Sequence, residues 1–449
     1  MSQQDLTKGS VFPTMSWFAL PMIFGNILQQ GYNIVDTWVV GHMIGPDALA
    51  AVGSAFALMT FLTSVLLGLC MGSGTVFSLC FGRQDGRQLK SSLCASFLIL
   101  AVIVLFLTTA SVLGVDVWIV FMNIPAQIRT MTREYLLLVF CGIPAIAVYN
   151  FFGAYLKSVG NSLVPLLFLG ISTILNILLD LLFVAVFAWG AKGAASATII
   201  SQYLSGIGIG VYVLVREREV RDAFLHFHVN TSSLREIANY SVLTCMQQSV
   251  MNLGILMVQG LVNSFGTSVM AAFAAAVKIE AFAYMPAQEY ANAFSTFTAQ
   301  NMGAGFKRRV LSGIRCASAT VVLYCLLASL LIWLLAEPLL LIFIQSSQTV
   351  ILAEGIRYLR IVGPFYCGIG CLFLFYGLYR AIGKPAMSVV LTVISLGTRV
   401  ILSYALSSRQ AFGAAGIWWS IPIGWGLADL TGYVYYRCCM RSGEKGPKG

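Results

Sequence analysis

The chain has 449 residues, of which 58% are hydrophobic and 10% charged, and its mean hydropathy is +0.85. Soluble globular chains carry roughly 25% charged residues, so this composition excludes an ordinary soluble domain and indicates an integral membrane protein. The formal net charge of +10 does not predict a nucleic-acid partner, because the distribution of the basic residues has a simpler explanation, given below.

Long apolar runs predict the fold class. A membrane-spanning helix needs roughly 20 apolar residues, and lipid offers the backbone no water, so uninterrupted runs of this length must satisfy their hydrogen bonds as helices. We predict an all-α polytopic membrane protein with spans near residues 15–40, 48–78, 93–115, 135–155, 163–188, 194–215, 239–264, 269–297, 312–336, 359–379, 386–406 and 414–436.

The basic residues predict the topology. With twelve spans, nineteen Lys and Arg residues fall on the side that holds both termini and six fall on the other side. Because cytoplasmic loops carry the excess of Lys and Arg, both termini are expected in the cytoplasm. We therefore expect a multi-pass membrane protein.

The second half of the sequence repeats the first at a nearly constant offset. Gly45 and Gly82 fall on Gly266 and Gly303, and after one small gap YLKSVGNS (155–162) falls on LYRAIGKP (378–385). Parallel repeats of this kind are typical of transporters. We predict two pseudo-symmetric six-helix bundles: an N-terminal lobe at 1–215, a cytoplasmic linker at 216–238, a C-terminal lobe at 239–437 and a cytoplasmic tail at 438–449.

Two predicted spans carry acids at membrane depth. The first span has Gln29, Asn33 and Asp36 at spacing i, i+4, i+7, and the fifth has Asn176 and Asp180 at i, i+4, so each set shares one helical face. Both acids lie in the outer part of outward-running helices and could share one site. The sixth span adds Thr198.

Such acids are costly to bury, at about 2.5 to 3.5 kcal/mol on insertion scales. Two carboxylates in one pocket indicate either that one takes a proton or that a cation lies between them, with Asn176 and Thr198 supplying neutral oxygens. The alternative is that each acid pairs with a buried base, Lys278 or Arg399. Those bases lie in the other half of the sequence.

The second half lacks this acidic pair, since Asn176 maps to Arg399 and Asp180 to Ser403. Lys278 and Glu280 are two positions apart on one predicted helix, so they point in nearly opposite directions and cannot pair with each other. Glu280 either contacts Arg399 as a structural pair or takes part in substrate gating.

Other chemistries find little support in the sequence. There is no Walker A pattern, and no HExxH-type metal motif among three histidines. We expect no resident cofactor and no enzymatic activity, because neither a nucleophile–base pair nor a metal dyad is evident. A passive channel would not need the acids.

Four phrases carry a family resemblance: QQGYNIVDTWVVGHMIGPDALAAVG in the first span, NILLD in the fifth, KIEAFAYMPAQ in the eighth and TFTAQNMGAG after it. They resemble the multidrug and toxic compound extrusion (MATE) transporters, and within them the prokaryotic branch of DinF-type and MepA-type exporters. The NorM-type branch uses acids in the seventh and tenth spans, and this chain departs from it with Gln247 and Gln248.

The resemblance implies residue roles. A sodium ion or proton would bind in the N-terminal lobe at Asp36, Asn176, Asp180 and Thr198. Gln30 and Asn150 would line the cavity of the same lobe. The predicted substrate-cavity residues are these two together with Asn33, Lys278 and Glu280.

The function implied is a secondary antiporter that exports amphipathic, often cationic, drugs or toxic metabolites in exchange for H+ or Na+, and thereby contributes to antibiotic resistance. It is expected to work as a monomer in the lipid bilayer, which by the resemblance would be the bacterial inner (plasma) membrane. The rival within the same superfamily is a lipid-linked oligosaccharide flippase, for which Lys278 and Arg399 would be candidate phosphate-binding residues.

Overall fold

The computed structural model describes residues 4–122, 124–408 and 412–444, and within these ranges the regular structure is helical, with no strand. The helices are α1 (Val11–Met43), α2 (Pro46–Arg83), α3 (Gly86–Leu113), α4 (Val115–Phe121), α5 (Arg129–Cys141), α6 (Ile143–Ser158), α7 (Leu163–Asp180), α8 (Gly190–Arg216), α9 (Arg218–Leu225), α10 (Thr231–Asn263), α11 (Thr267–Gly303), α12 (Lys307–Leu341), α13 (Thr349–Val362), α14 (Tyr366–Ala381), α15 (Pro385–Ser407) and α16 (Ala414–Glu444).

The prediction of a polytopic helical membrane protein is confirmed. In the described part of the chain, eleven helical stretches are long and apolar enough to cross a membrane, and they cover the first eleven predicted spans. α16 covers the twelfth. Leu105, Phe106 and Leu334 are largely exposed, as expected of side chains whose solvent is lipid.

Two of the predicted spans are broken helices. The fourth consists of α5 and α6, which meet at Gly142 with Pro144 in the first turn of α6. The tenth consists of α13 and α14, joined by a 3-10 turn at Gly363–Phe365 that contains Pro364. Proline has no N–H to donate to the preceding turn, so the helix is interrupted at both places.

The chain forms two compact units. Unit 1 contains Trp17–Gln248 and Ala299–Gly305 together with the residues up to Gly9, and unit 2 contains Ser10–Ser16, Ser249–Thr298 and the chain from Phe306 onward. Residues 216–238, the predicted cytoplasmic linker, include α9 and the first turns of α10. Unit 1 continues to Gln248 within α10.

The backbone repeats along with the sequence. Positive φ angles occur at Gly45 (116°) and Gly266 (92°), at Gly160 (86°) and Gly383 (82°), and at Gly190 (59°) and Gly413 (49°). In each of these pairs, the second glycine occupies the position onto which the sequence repeat maps the first. Left-handed turns that favour glycine therefore fall at matching helix boundaries in the two halves.

Unit 1 contains a close crossing between the ends of α2 and α11. A Cβ atom at Gly82 would collide with the carbonyl oxygen of Gln300, and a Cβ atom at Gly303 would collide with the carbonyl oxygen of Leu79. The repeat maps Leu79 onto Gln300 and Gly82 onto Gly303, so the two contacts are equivalent. Gln300 also donates from Nε2 to the carbonyl of Ser158 at 2.7 Å.

Replacing Gly82 by alanine tests this crossing. We expect Gly82→Ala to lower stability by about 1 to 3 kcal/mol, because the added methyl forces two backbones apart. Thermal unfolding of the detergent-purified protein measures the change. Gly53→Ala is the matched control on the same helix, since a Cβ atom there meets nothing within 4 Å. Equal melting temperatures for the two variants would contradict the close approach.

Candidate functional site

Asn176 and Asp180 lie on the buried face of α7, as their i, i+4 spacing predicts. Asp180 is 0% exposed and Asn176 is 2% exposed. In the amide orientation that satisfies both neighbours, Asn176 donates to Asp180 Oδ2 at 2.8 Å and accepts from the backbone N–H of Thr198 at 3.2 Å. The opposite orientation brings its nitrogen to 3.4 Å from Thr198 Oγ1. Either way, Asn176 connects α7 to α8.

Small residues of α8 allow this contact. Gly193, Ala194, Ala197 and Ser201 are buried, and α8 packs along α7. Small side chains let helix backbones approach closely in membranes, which brings the backbone and hydroxyl of Thr198 within reach of Asn176.

α1 brings the second acid to the same place. Tyr32 and Asp36 are one helical turn apart, and the Tyr32 hydroxyl lies 3.3 Å from Thr198 Oγ1. The charge of Asp36 acts on Asp180, and both carboxylates act on the phenol of Tyr135 in α5. Residues from four helices thus meet in one pocket of unit 1.

Neither acid is fully satisfied. The Oδ1 atoms of Asp36 and Asp180 are buried and have no hydrogen-bond partner among the described residues. Across the same residues, no salt bridge joins either carboxylate to a basic side chain. The bases named in the alternative, Lys278 and Arg399, belong to unit 2.

The oxygen atoms of the pocket suit the binding of a proton or a hard cation. Carboxylate, amide and hydroxyl oxygens are the ligands that such cations prefer, and the pocket adds no sulfur or imidazole from the described residues. Two like charges in a lipid-depth pocket repel each other at low dielectric. A proton on one carboxylate, or a monovalent cation between the two, removes that repulsion.

The backbone changes form directly after Asp180. Leu181–Val186 is a π-helical stretch, with the N–H of Phe187 bonded to the carbonyl of Leu182 at 2.9 Å. Ala188 then adopts a φ of +54°. π-Helical turns are frequent at functional sites. The corresponding helix of unit 2, α15, remains α-helical to Ser407.

The predicted cavity residues of unit 1 lie on α1 and α6. Gln30 and Asn33 on α1 are half-buried. Asn150 donates to the carbonyl of Ile146 in its own helix at 2.8 Å. Sequence reasoning missed Tyr32 and Tyr135; Tyr32 could have been found from its i, i+4 spacing to Asp36, whereas nothing local marks Tyr135.

In unit 2, Glu280 is 6% exposed and accepts a hydrogen bond from the hydroxyl of Tyr358. Glu280 and Arg399 form no direct ion pair in the described residues. The charge of Arg399 acts on Glu280 at a distance, and the hydrogen bond to the Glu280 carboxylate comes from Tyr358. Lys278 is exposed, with Nζ 5.8 Å from the centre of the Phe343 ring.

Sequence reasoning also missed Asp429, the one acid within the predicted span 414–436. Its Oδ1 atom is buried without a partner among the described residues, and a Cβ atom at Gly368 would lie 3.7 Å from its Oδ2. An unpaired acid inside an apolar span is itself a signal of function.

A duplicated set of membrane helices with buried acids is typical of membrane transporters. The chain belongs to the MatE family: the family model matches residues 21–182 and 242–405, one segment in each half. The first segment contains Asp36, Asn176 and Asp180. The resemblance read from the sequence is thereby confirmed.

Two multidrug resistance or export proteins align with nearly the whole chain. The probable multidrug resistance protein YpnP of Bacillus subtilis (strain 168) is 26% identical over 439 residues, covering 97% of each chain. The multidrug export protein MepA of Staphylococcus aureus (strain MSSA476) is 21% identical over 437 residues, covering 94% of this chain and 93% of its own.

Solved structures share the fold. An outward-facing multidrug resistance MATE family transporter of the MOP superfamily matches with a TM-score of 0.93 at 22% identity, covering 99% of each chain. A MOP superfamily transporter from Pyrococcus furiosus matches with a TM-score of 0.91 at 21% identity, again over 99% of each chain.

The hydroxyl of Thr198 offers a direct test of the pocket. We expect Thr198→Val to lower stability by about 1 kcal/mol, because the Tyr32 hydroxyl loses its partner. Thr63→Val is the matched control, since the Thr63 hydroxyl bonds the Met59 carbonyl of its own helix at 2.7 Å. Thermal unfolding compares the two. A larger loss for Thr63→Val than for Thr198→Val would argue against the interhelical bonds.

Proposed function

We propose that this chain is a secondary active multidrug antiporter that exports amphipathic or cationic organic compounds in exchange for H+ or Na+. The observation that carries the proposal is the pair Asp36 and Asp180, two carboxylates of one buried pocket with no basic partner in the described residues. The names of the relatives, a multidrug resistance protein and a multidrug export protein, support the substrate class.

The coupling follows from differential binding. A ligand shifts a conformational equilibrium only by its difference in affinity for the two states. With both acids charged, the pocket attracts cations and favours the state that holds a cationic drug. Neutralisation of the acids by an incoming proton or Na+ weakens that attraction and favours drug release, and opening alternates between the two faces of the membrane, as in transporters built from repeats.

The available driving force is adequate. A ten-fold ion gradient is worth about 1.4 kcal/mol, and one charge crossing 100 mV is worth about 2.3 kcal/mol. One inward ion can therefore support a useful outward drug gradient. If a singly charged drug exchanges for one ion, the voltage cancels and the concentration gradient of the ion alone drives export.

The basic residues support the orientation. We place both termini in the cytoplasm, since the loops on that side hold nineteen of the Lys and Arg residues. A fluorescent tag at the C terminus, read for quenching by an impermeant quencher in intact cells, checks this orientation.

Isosteric neutral variants test the role of the acids. Drug transport is measured in proteoliposomes with an imposed pH or sodium gradient. Asp36→Asn and Asp180→Asn are each expected to reduce the transport rate to that of protein-free vesicles, because each removes a carboxylate charge that the incoming ion would neutralise. Supplying one ion gradient at a time identifies the coupling ion.

Asp116→Asn is the matched control. Asp116 is exposed and pairs with Arg133 at 2.9 Å, and exposed pairs contribute little, so this variant should transport at the wild-type rate. Wild-type transport by the double variant Asp36→Asn, Asp180→Asn would overturn the proposal. Circular dichroism and size-exclusion profiles of each variant distinguish loss of function from loss of fold.

A further inference from the structure

The connection between α8 and α10 in unit 1 lies at the surface of the membrane. α8 ends at Arg216 and α10 begins at Thr231, and both helices are long and apolar enough to cross a bilayer. The exposed side chains of α8 stay apolar almost to its end, as at Val211 and Val215. The short helix α9 therefore begins directly after a lipid-facing surface ends, at the depth of the lipid headgroups.

Contacts along α3 show that α9 slopes toward the hydrocarbon core. At the outer end of α3, a Cβ atom at Gly86 would lie 3.2 Å from the carboxylate of Glu219 in the first turn of α9. Three turns further along α3, the ring centre of Phe97 lies 5.1 Å from that of Phe224 near the end of α9. α3 exposes apolar side chains beyond this point, beginning with Leu98, so the end of α9 is its deeper part.

The chain then turns back along the same helix. The backbone of His228 hydrogen-bonds the Cys94 thiol, and the N–H of Asn230 donates to Ser91 Oγ at 2.9 Å. Cys94 and Ser91 precede the contact at the end of α9, so the chain is moving away from the membrane again. Residues 225–227 are therefore the part of the connection that reaches farthest toward the membrane.

These three residues present an exposed apolar tip. Leu225 is 70% exposed and Phe227 is 50% exposed. Apolar and aromatic side chains of this kind enter the boundary between headgroups and acyl chains when they lie on an interfacial helix. The depth of the tip and its exposure thus indicate contact with lipid.

The charged side chains of α9 are separated by sign. Glu219 and Asp222 face Lys90 of α3, with carboxylate oxygens 3.9 Å and 3.2 Å from its Nζ atom. Arg218 and Arg221 are exposed, and neither forms a salt bridge with an acid in the part of the chain that the structure describes. The surface that α9 presents outward is therefore positive.

The two arginines lie on the same edge of α9 as the apolar tip. Arg218, Arg221 and Leu225 have the spacing i, i+3, i+7, which places them along one helical face, whereas Val220 and Ala223 are buried on the other side. Arg221 is one turn farther from the hydrocarbon core than Leu225. A guanidinium at that height is level with lipid phosphates when Leu225 touches the acyl chains.

We propose that Arg218, Arg221 and the apolar tip, Leu225 and Phe227, form a binding surface for anionic phospholipid. Guanidinium groups match the oxygens of a phosphate, and an anionic leaflet attracts basic residues beside a membrane span. A free phosphate ion would satisfy the arginines but leave the tip uncovered. The general excess of basic residues on one side of the membrane accounts for the arginines but not for their alignment with an apolar tip.

Hydrogen–deuterium exchange of the full-length protein in lipid nanodiscs tests this surface. We expect the backbone amides of residues 219–229 to exchange about five-fold or more slowly in phosphatidylglycerol than in phosphatidylcholine. Lipid that binds the folded segment protects it, and one basic residue near an anionic surface contributes about five-fold in affinity. In the double variant Arg218→Gln, Arg221→Gln, the difference between the lipids should fall below about two-fold.

A second variant separates the tip from the charge. Leu225→Gln with Phe227→Gln keeps both arginines and removes the apolar contact, so it should also reduce the difference between the two lipids. A lipid difference that stays at the wild-type value in either double variant would overturn the inference.

Arg83→Gln with Arg87→Gln is the matched control. These two exposed arginines lie where α2 ends and α3 begins, and their replacement removes the same charge from unit 1. The protection of residues 219–229 by phosphatidylglycerol should persist in this variant. An equal loss there would indicate a general effect of charge and overturn the inference.

Inorganic phosphate distinguishes lipid from a soluble anion. Added to the protein in phosphatidylcholine nanodiscs, it should leave exchange of residues 219–229 unchanged, because it cannot cover the apolar tip. Protection equal to that by phosphatidylglycerol would assign the arginines to a soluble anion and overturn the lipid assignment. These measurements contain no drug and no ion gradient, so their outcome is independent of the antiport proposal.

Discussion

Two carboxylates in one pocket at membrane depth are the main electrostatic constraint on unit 1. Asp36 arrives on α1 and Asp180 on α7, and each keeps a buried Oδ1 atom without a partner in the described residues. A charge at membrane depth is unfavourable, so two acids in one pocket favour the binding of a proton or cation. Asn176 donates to Asp180, and the hydroxyls of Tyr32 and Thr198 contact each other, but these neutral groups cannot cancel the charge of the acids.

The internal duplication gives the two halves of the chain a similar backbone with different side chains at matched positions. The left-handed glycine turns and the reciprocal contacts of Gly82 and Gly303 follow the repeat. Backbone geometry is thus shared between halves, while side chains at matched positions diverge: Asn176 and Asp180 correspond to Arg399 and Ser403. Different side chains at matched positions give the two halves different charge, while the backbone differs only locally, as in the π-helical stretch after Asp180.

Much of the fold could be predicted from the sequence, because apolar length alone determines where helices cross a bilayer. The alignment of Asn176 with Asp180 followed from helical periodicity. The breaks in the fourth and tenth spans and the π-helical stretch after Asp180 were not predicted, since they depend on packing around prolines and glycines. Tyr135 was missed for a similar reason. Nothing in the sequence distinguishes it from an ordinary membrane tyrosine, because its proximity to the acids depends on the packing of other helices.

The hydrogen bonds of the pocket bear on which ion it holds. Asn176 is engaged by both Asp180 and Thr198, and the Thr198 hydroxyl is engaged by Tyr32. Among the described atoms, a buried oxygen of each carboxylate has no hydrogen-bond partner. A proton needs one such oxygen and can be accepted with every other bond intact. Hard metal cations take several oxygen ligands at once, so Na+ in this pocket would draw on the neutral oxygens of Asn176 and Thr198 as well as on the carboxylates. A proton needs fewer of these oxygens than Na+ does.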